Sequence, residues 1–284
     1  MNICLFPGQG NKSFKFDTYS DSYFNEASEI LNITKNEILE NDYPFKFQLL
    51  SFIYNISNFD KVKQLDNAFY NNIDLLIGYS LGEYTSLVCS ECISFKACVK
   101  LIKIRSELMH KCSIDTNSCL ITILGISEKY INIIFKDIEY YISIYLSSEG
   151  FVLSFRKNDL DYIYSRLNSF KKLNKIYFKL LDVDGGFHSP FMEDSIIQFK
   201  NYLNTVEFQT PKIKMLSNYD GTVYSNINEM KQKLVQHLIS PIRWDNIIKN
   251  SFNNINKIYE LGGNKLKKTL TLNNIDITNY NNIG

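Results

Sequence analysis

The run Leu75-Leu76-Ile77-Gly78-Tyr79-Ser80-Leu81-Gly82-Glu83-Tyr84 joins an apolar stretch of strand length to G-x-S-x-G and then to helix-compatible sequence. That order is the pattern of a nucleophile elbow, whose strained turn lifts a serine hydroxyl clear of the sheet edge. Gly78 and Gly82 suit positions where a side chain would crowd the flanking strand and helix. The chemistry this predicts is covalent acyl chemistry at Ser80 Oγ. A serine nucleophile needs a base, and the chain has three histidines, His110, His188 and His237. His188 lies in the turn-rich segment Asp184-Gly185-Gly186-Phe187-His188-Ser189-Pro190, where the proline suits the first turn of a helix. A loop histidine beside a helix start can present a ring nitrogen to the serine, which makes His188 the expected base. The alternative is a solvated loop histidine. His110 falls near the end of a predicted helix, where a helix-dipole or surface role accounts for it.

Elements able to position these groups alternate between strand-like and helix-like runs, which predicts an α/β architecture with a largely parallel sheet. Residues 3–6 form a short strand ending in the turn Pro7-Gly8-Gln9-Gly10. Residues 45–59 have helical spacing, and 73–77 form the strand before the elbow. Ser94 caps a long helix through residue 112, with Cys98, Leu101, Ile102, Arg105 and Leu108 along one stripe. From residue 119 the order becomes strand 119–124, helix, strands 140–146 and 151–155, helix 159–170 and strand 176–180. This β-α-β-β-α-β order is the ferredoxin-like arrangement, expected as a small α+β domain inserted into the larger one. The expected division is 1–116 and 185–284 for an α/β-hydrolase-like catalytic domain and 117–184 for the small domain. After the junction come a helix following Pro190, a strand at 213–216, helices at 229–238 and 244–250, and a strand at 257–261.

The 284 residues, 45% of them hydrophobic, suffice for one large core with a smaller insert. A formal net charge of +1 implies no general pull toward nucleic acid or an anionic membrane. No stretch of about 20 apolar residues predicts a membrane span. The start Met1-Asn2-Ile3-Cys4-Leu5-Phe6-Pro7 lacks the regions of a signal peptide, so a cytoplasmic location is expected. The six cysteines are expected as buried thiols rather than disulfides, because a cytosolic chain of this length needs no staples. Cys89-Ser90-Glu91-Cys92 is formally C-x-x-C, but no second pair follows at zinc-site spacing, so no metal is expected.

Several segments together resemble one family. Phe6-Pro7-Gly8-Gln9-Gly10 resembles the F-P-G-Q-G opening of malonyl-CoA:acyl-carrier-protein transacylases and polyketide-synthase acyltransferase domains. Gly78-Tyr79-Ser80-Leu81-Gly82-Glu83-Tyr84 is similar to their G-H-S-L-G-E-Y elbow, and Arg105-Ser106-Glu107-Leu108-Met109 to R-G-x-L-M. Gly186-Phe187-His188-Ser189-Pro190-Phe191-Met192 resembles A-F-H-S-x-x-M, and Ser217-Asn218-x-x-Gly221 and Ser240-Pro241-Ile242-Arg243-Trp244 complete the series in family order. The resemblance implies Ser80 as nucleophile, His188 as general base, and the backbone N–H groups of Gln9 and Leu81 as oxyanion hole. It implies that Arg105 pairs with the free carboxylate of a malonyl group through a guanidinium fork; the alternative is a salt bridge to a buried acid. It also implies that a backbone carbonyl near His237, not an aspartate, orients His188, and that Tyr79 and Phe187 border the substrate pocket.

The chain departs from the family in places. Tyr79 replaces the usual histidine beside the nucleophile, as in stand-alone acyltransferases that serve polyketide synthases lacking their own. Leu146 stands where an asparagine is common, Phe155 where glycine often ends a strand, and His237 where glutamine is frequent. The function implied is ping-pong transfer of malonyl from malonyl-CoA to the phosphopantetheine thiol of an acyl carrier protein, in trans for polyketide biosynthesis. Alternatives are the same transfer in fatty-acid synthesis, acyl hydrolysis on the same fold, and a module that only docks carrier proteins. The expected partners are the carrier protein and malonyl-CoA, with no nucleic acid, membrane, cofactor or metal, acting as a monomer.

Overall fold

A computed structural model describes residues 1–9, 14–183 and 185–283. Gly10 of the first motif, residue 184 at the expected end of the small domain, and residue 284 lie outside the described residues. The chain begins with strand β1 (Asn2–Phe6), helices α1 (Thr18–Leu31), α2 (Lys35–Glu40), α3 (Lys46–Leu65) and α4 (Phe69–Asn72), strand β2 (Leu75–Gly78), and helices α5 (Gly82–Cys89) and α6 (Phe95–Thr116). The inserted unit follows: β3 (Ser118–Leu124), α7 (Glu128–Ile134), β4 (Tyr140–Ser147), β5 (Gly150–Arg156), α8 (Leu160–Lys171) and β6 (Tyr177–Leu180). The chain returns through a 3₁₀ segment, Pro190–Ser195, into α9 (Ile196–Thr205), β7 (Lys214–Met215), α10 (Ile227–Ile239), α11 (Trp244–Ser251), β8 (Lys257–Leu261), α12 (Leu266–Leu272) and β9 (Tyr280–Ile283).

The large sheet has the order β7-β2-β1-β8-β9 and is parallel throughout. Its central strands are buried on both faces, with β1 reading Ile3, Cys4, Leu5, Phe6 at 0% exposure, the continuous apolar run of a sheet covered by helices. The small sheet has the order β4-β5-β3-β6 with antiparallel neighbours, the ferredoxin-like arrangement. Period-two alternation explains how it serves two cores. Cys119, Ile121 and Ile123 of β3 face the unit's own helices, whereas Leu120 and Leu124 pack against the large core. Phe155 fills the small core against Phe135, ring centroids 4.9 Å apart.

Backbone contacts tie the small sheet to the connection between α10 and α11. Tyr145 N–H donates to Ile242 O at 3.0 Å, and Ile242 N–H to Ser143 O at 2.9 Å. Several expected boundaries move: α3 runs on to Leu65 and β2 covers Leu75–Gly78. The helix after Pro190 begins as a 3₁₀ segment because the Ser189 side chain caps it, accepting from Phe191 N–H, and the α-helix starts at Ile196. The strand at 213–216 pairs only over Lys214–Met215, since its sole sheet partner is the short β2. Ser94 caps α6 as expected, accepting from Ala97 N–H, and the helix runs on to Thr116. Among the described residues, no helix is long and apolar enough to cross a membrane, and the six cysteines are buried free thiols.

Candidate active site

The site sits at the carboxyl ends of the parallel strands, where open α/β sheets bind ligands. The register Phe6↔Gly78 brings the exits of β1 and β2 side by side, and Tyr79 N–H donates to Phe6 O at 2.9 Å. The chain then turns so sharply that Ser80 takes φ +53, in the left-handed region. Such a backbone costs on the order of 1 kcal/mol and persists only where its surroundings enforce it. The surroundings are tight here. A Cβ at Gly78 would lie 2.0 Å from Glu83 N, and one at Gly82 2.1 Å from Phe6 O. Asn218, shortly after the neighbouring strand β7, clamps the turn: its Oδ1 accepts from Ser80 N–H at 2.9 Å and its Nδ2 donates to Gly78 O at 2.7 Å.

His188 reaches the serine from the other side. Its Nε2 lies 2.8 Å from Ser80 Oγ, and its Nδ1 2.7 Å from the backbone carbonyl of His237, near the end of α10. His188 is itself at φ +59, so both residues of the pair occupy the strained region. Its loop is built locally. Gly186 N–H donates to Ser118 Oγ at 2.8 Å, and Ser189 Oγ donates to Gly186 O at 2.5 Å. The carbonyl of His237 selects the tautomer with a proton on Nδ1, leaving Nε2 free to accept from Ser80. Burial, then the neighbouring His237, then Arg105 hold the His188 pKa well below the usual histidine value, against the opposing hydrogen bond to the His237 carbonyl. The ring is therefore neutral near pH 7 and able to take a proton.

Gln9 and Leu81 flank the nucleophile. A Cβ at Gly8 would sit 2.7 Å from Tyr79 O and 3.3 Å from Ser80 Cβ, so the segment leading to Gln9 passes directly over the elbow. Leu81 is the residue before α5, where helix N–H groups have no intrahelical acceptor. Neither the Gln9 nor the Leu81 N–H donates to a described residue. Tyr79 packs edge-on against Trp244, centroids 5.0 Å apart, and Phe187 is buried beside His188.

Arg105 occupies the inner stripe of α6 at 1% exposure. Its Nη1 donates to Gln48 Oε1 of α3 at 2.5 Å, and its guanidinium carbon lies 5.2 Å from the centre of the Tyr84 ring. Its Nε has no hydrogen-bond partner among the described residues. No carboxylate among the described residues pairs with it, so the expected alternative of a salt bridge to a buried acid does not occur. A buried guanidinium held by a neutral amide is a receptor for an anion, and its planar fork matches a carboxylate.

Sequence reasoning singles out Ser80, His188, Gln9, Leu81, Arg105, Tyr79, Phe187 and the His237 carbonyl, and Ser80 and His188 meet as expected, with the His237 carbonyl on the base. It misses the clamp of Asn218 and the hold of Gln48 on Arg105. Asn218 carried a faint signal in Ser217-Asn218-x-x-Gly221; Gln48 carried none.

No family model matches the sequence. The chain is 30% identical over 301 residues to the malonyl CoA-acyl carrier protein transacylase of Buchnera aphidicola, covering 98% of this chain and 94% of the relative. It is 26% identical over 260 residues to the polyketide biosynthesis malonyl CoA-acyl carrier protein transacylase PksC of Bacillus subtilis, covering 86% of each. Its fold matches the crystal structure of malonyl-CoA:acyl carrier protein transacylase from Helicobacter pylori, with a TM-score of 0.87 at 20% identity, over 100% of this chain and 94% of the other. The extent of the first match, together with the shared fold, establishes that this chain belongs to the malonyl CoA-acyl carrier protein transacylase family.

Proposed function

We propose that the protein moves a malonyl group from malonyl-CoA to the phosphopantetheine thiol of an acyl carrier protein through an acyl-Ser80 intermediate. Ser80 Oγ attacks the thioester carbonyl while His188 Nε2 takes its proton. The Gln9 and Leu81 N–H groups receive the developing oxyanion. The tetrahedral intermediate collapses, the C–S bond breaks, and His188 returns the proton to the departing CoA sulfur. The carrier thiol then attacks the ester by the same steps in reverse, His188 taking the thiol proton and returning it to Ser80.

The observation that carries this reading is the buried Arg105, which among the described residues keeps an unpaired Nε–H and has no acidic partner. A hydrolase for neutral acyl chains gains nothing from such a cation, whereas a diacid donor supplies the missing charge. The test is intact-protein mass spectrometry after brief incubation with malonyl-CoA or acetyl-CoA, for wild type and Arg105→Ala. A malonyl adduct on wild type that Arg105→Ala loses is the expected result. Adducts from acetyl-CoA alone, or rapid thioester hydrolysis with no adduct, overturn it.

The same reading has the protein act in the cytoplasm as a monomer without cofactor, in trans on a polyketide carrier protein. Tyr79 in the elbow and Phe187 beside His188 support the polyketide assignment, as does the similarity to a relative named for polyketide biosynthesis. Offering a polyketide carrier domain and a fatty-acid carrier protein in competition tests it. Faster malonylation of the fatty-acid carrier overturns it.

A further inference from the structure

Behind the Ser80–His188 pair lies a buried cluster that the reaction above does not use. The imidazole of His237 stacks flat on that of His188, centroids 4.6 Å apart and planes 15° off parallel. Its Nδ1 lies 2.8 Å from Oε2 of Glu83, and both side chains are 1% exposed. This is a close ion-pair contact rather than an aligned hydrogen bond, since Oε2 makes no hydrogen bond. The other carboxylate oxygen, Oε1, accepts from Asn218 N–H at 3.1 Å and from the Tyr224 hydroxyl. Of the three residues Glu83 touches, two serve the dyad. Asn218 is the one that clamps the Ser80 turn, and His237 is the one whose carbonyl orients His188.

We propose that Glu83 is a positioning residue for the dyad, setting the serine through Asn218 and the base through the stacked ring of His237. The inference rests on the Ser80–His188 assignment made above. A carboxylate this deeply buried carries a large desolvation cost unless a proton or cation compensates it. The carboxylate is met instead by the Asn218 N–H, the Tyr224 hydroxyl and the His237 ring, which fixes that ring against His188. The charged and titratable groups facing these two rings are Glu83 from α5, Arg105 from α6 and, through its bond to Glu83, Tyr224 ahead of α10. Burial first, and then the ring stacked at this distance, disfavour a proton on His188, so holding the His237 ring in place helps keep the base neutral to lower pH. His237 acts here through its side chain as well as its backbone.

The test uses full-length Glu83→Gln, His237→Ala and His237→Gln. The readout is the rate at which a fluorophosphonate labels Ser80 as a function of pH. The probe needs only the nucleophile and its base, so it reports on the dyad whatever the acyl donor. Glu83→Gln is expected to label about tenfold more slowly at the plateau, with the acid limb of its profile moved to higher pH. His237→Ala is expected to lose at least as much. His237→Gln should recover most of that loss, because its amide can donate to Glu83, while keeping the displaced acid limb. A wild-type rate and limb in Glu83→Gln overturn the proposal. So does a slower rate with an unmoved limb and a lower melting temperature, since that is the signature of a structural role alone. Wild type that labels but takes no malonyl from malonyl-CoA refutes the acyl assignment instead, and the Glu83→Gln comparison still decides this one.

Discussion

The two ends of the site are built on opposite plans. At the reacting end the chain holds the reacting atoms itself: Ser80 N–H is held by Asn218, Ser80 Oγ by His188, and His188 Nδ1 by the His237 carbonyl. Strain at Ser80 and His188 is tolerated because glycine-tight packing and these bonds enforce it. At the Arg105 end a group is left unsatisfied: the buried Arg105 Nε has no hydrogen-bond partner among the described residues. A buried polar group left so costs on the order of 1–3 kcal/mol. The contrast separates two tasks. Atoms that react must be in place before substrate arrives, whereas atoms that select substrate are most discriminating when only the right ligand completes them.

Breaking the self-held end should have the larger consequences, and the largest come from its packing. Gly82→Ala places a methyl 2.1 Å from the Phe6 carbonyl oxygen, a backbone atom at the centre of the sheet. The expected cost is about 3 kcal/mol or more, read as a fall in the midpoint of urea unfolding. A midpoint equal to that of wild type would show the elbow to be less constrained than its geometry implies. Asn218→Ala keeps the fold but frees Ser80 N–H and Gly78 O. Acylation of Ser80 is expected to slow about a hundredfold, with the KM for malonyl-CoA little changed. A rise in KM with an unchanged rate would place Asn218 on the substrate side of the comparison.

The two ends also differ in how far the sequence announced them. The elbow is local: strand, turn and helix lie within ten residues, and steric demand for glycine marks both shoulders. Every strand of the two sheets except β9 was legible from its period, because alternation or continuous apolarity follows directly from burial on one face or two. Asn218 was not, since its partner Ser80 is 138 residues away and no spacing rule spans such a gap. Gln48 was hidden for another reason. It begins a stretch of α3 buried on every side through Phe59, so no helical stripe marks a position there as inward. The edge strand β9, Tyr-Asn-Asn-Ile, has little intrinsic strand preference and owes its form to pairing with β8.

The open end can be sharpened by closing it from within. Gln48 Oε1 is the chain's own acceptor on Arg105, neutral and 2.5 Å away. Gln48→Glu puts a carboxylate there, which pairs with the guanidinium and repels the carboxylate of the donor. At roughly 1.5 kcal/mol for a charged hydrogen bond, the KM for malonyl-CoA should rise about tenfold, while acylation by acetyl-CoA, which brings no carboxylate, stays as it was. Gln48→Leu removes the hold without offering a rival charge, so its effect on the same KM should be only a few-fold. The ordering matters more than either size. If the leucine variant weakens malonyl-CoA more than the glutamate variant does, Arg105 is limited by its orientation rather than by the absence of a counter-charge. The substrate end would then be preorganised like the reacting end, and the contrast between them would fail.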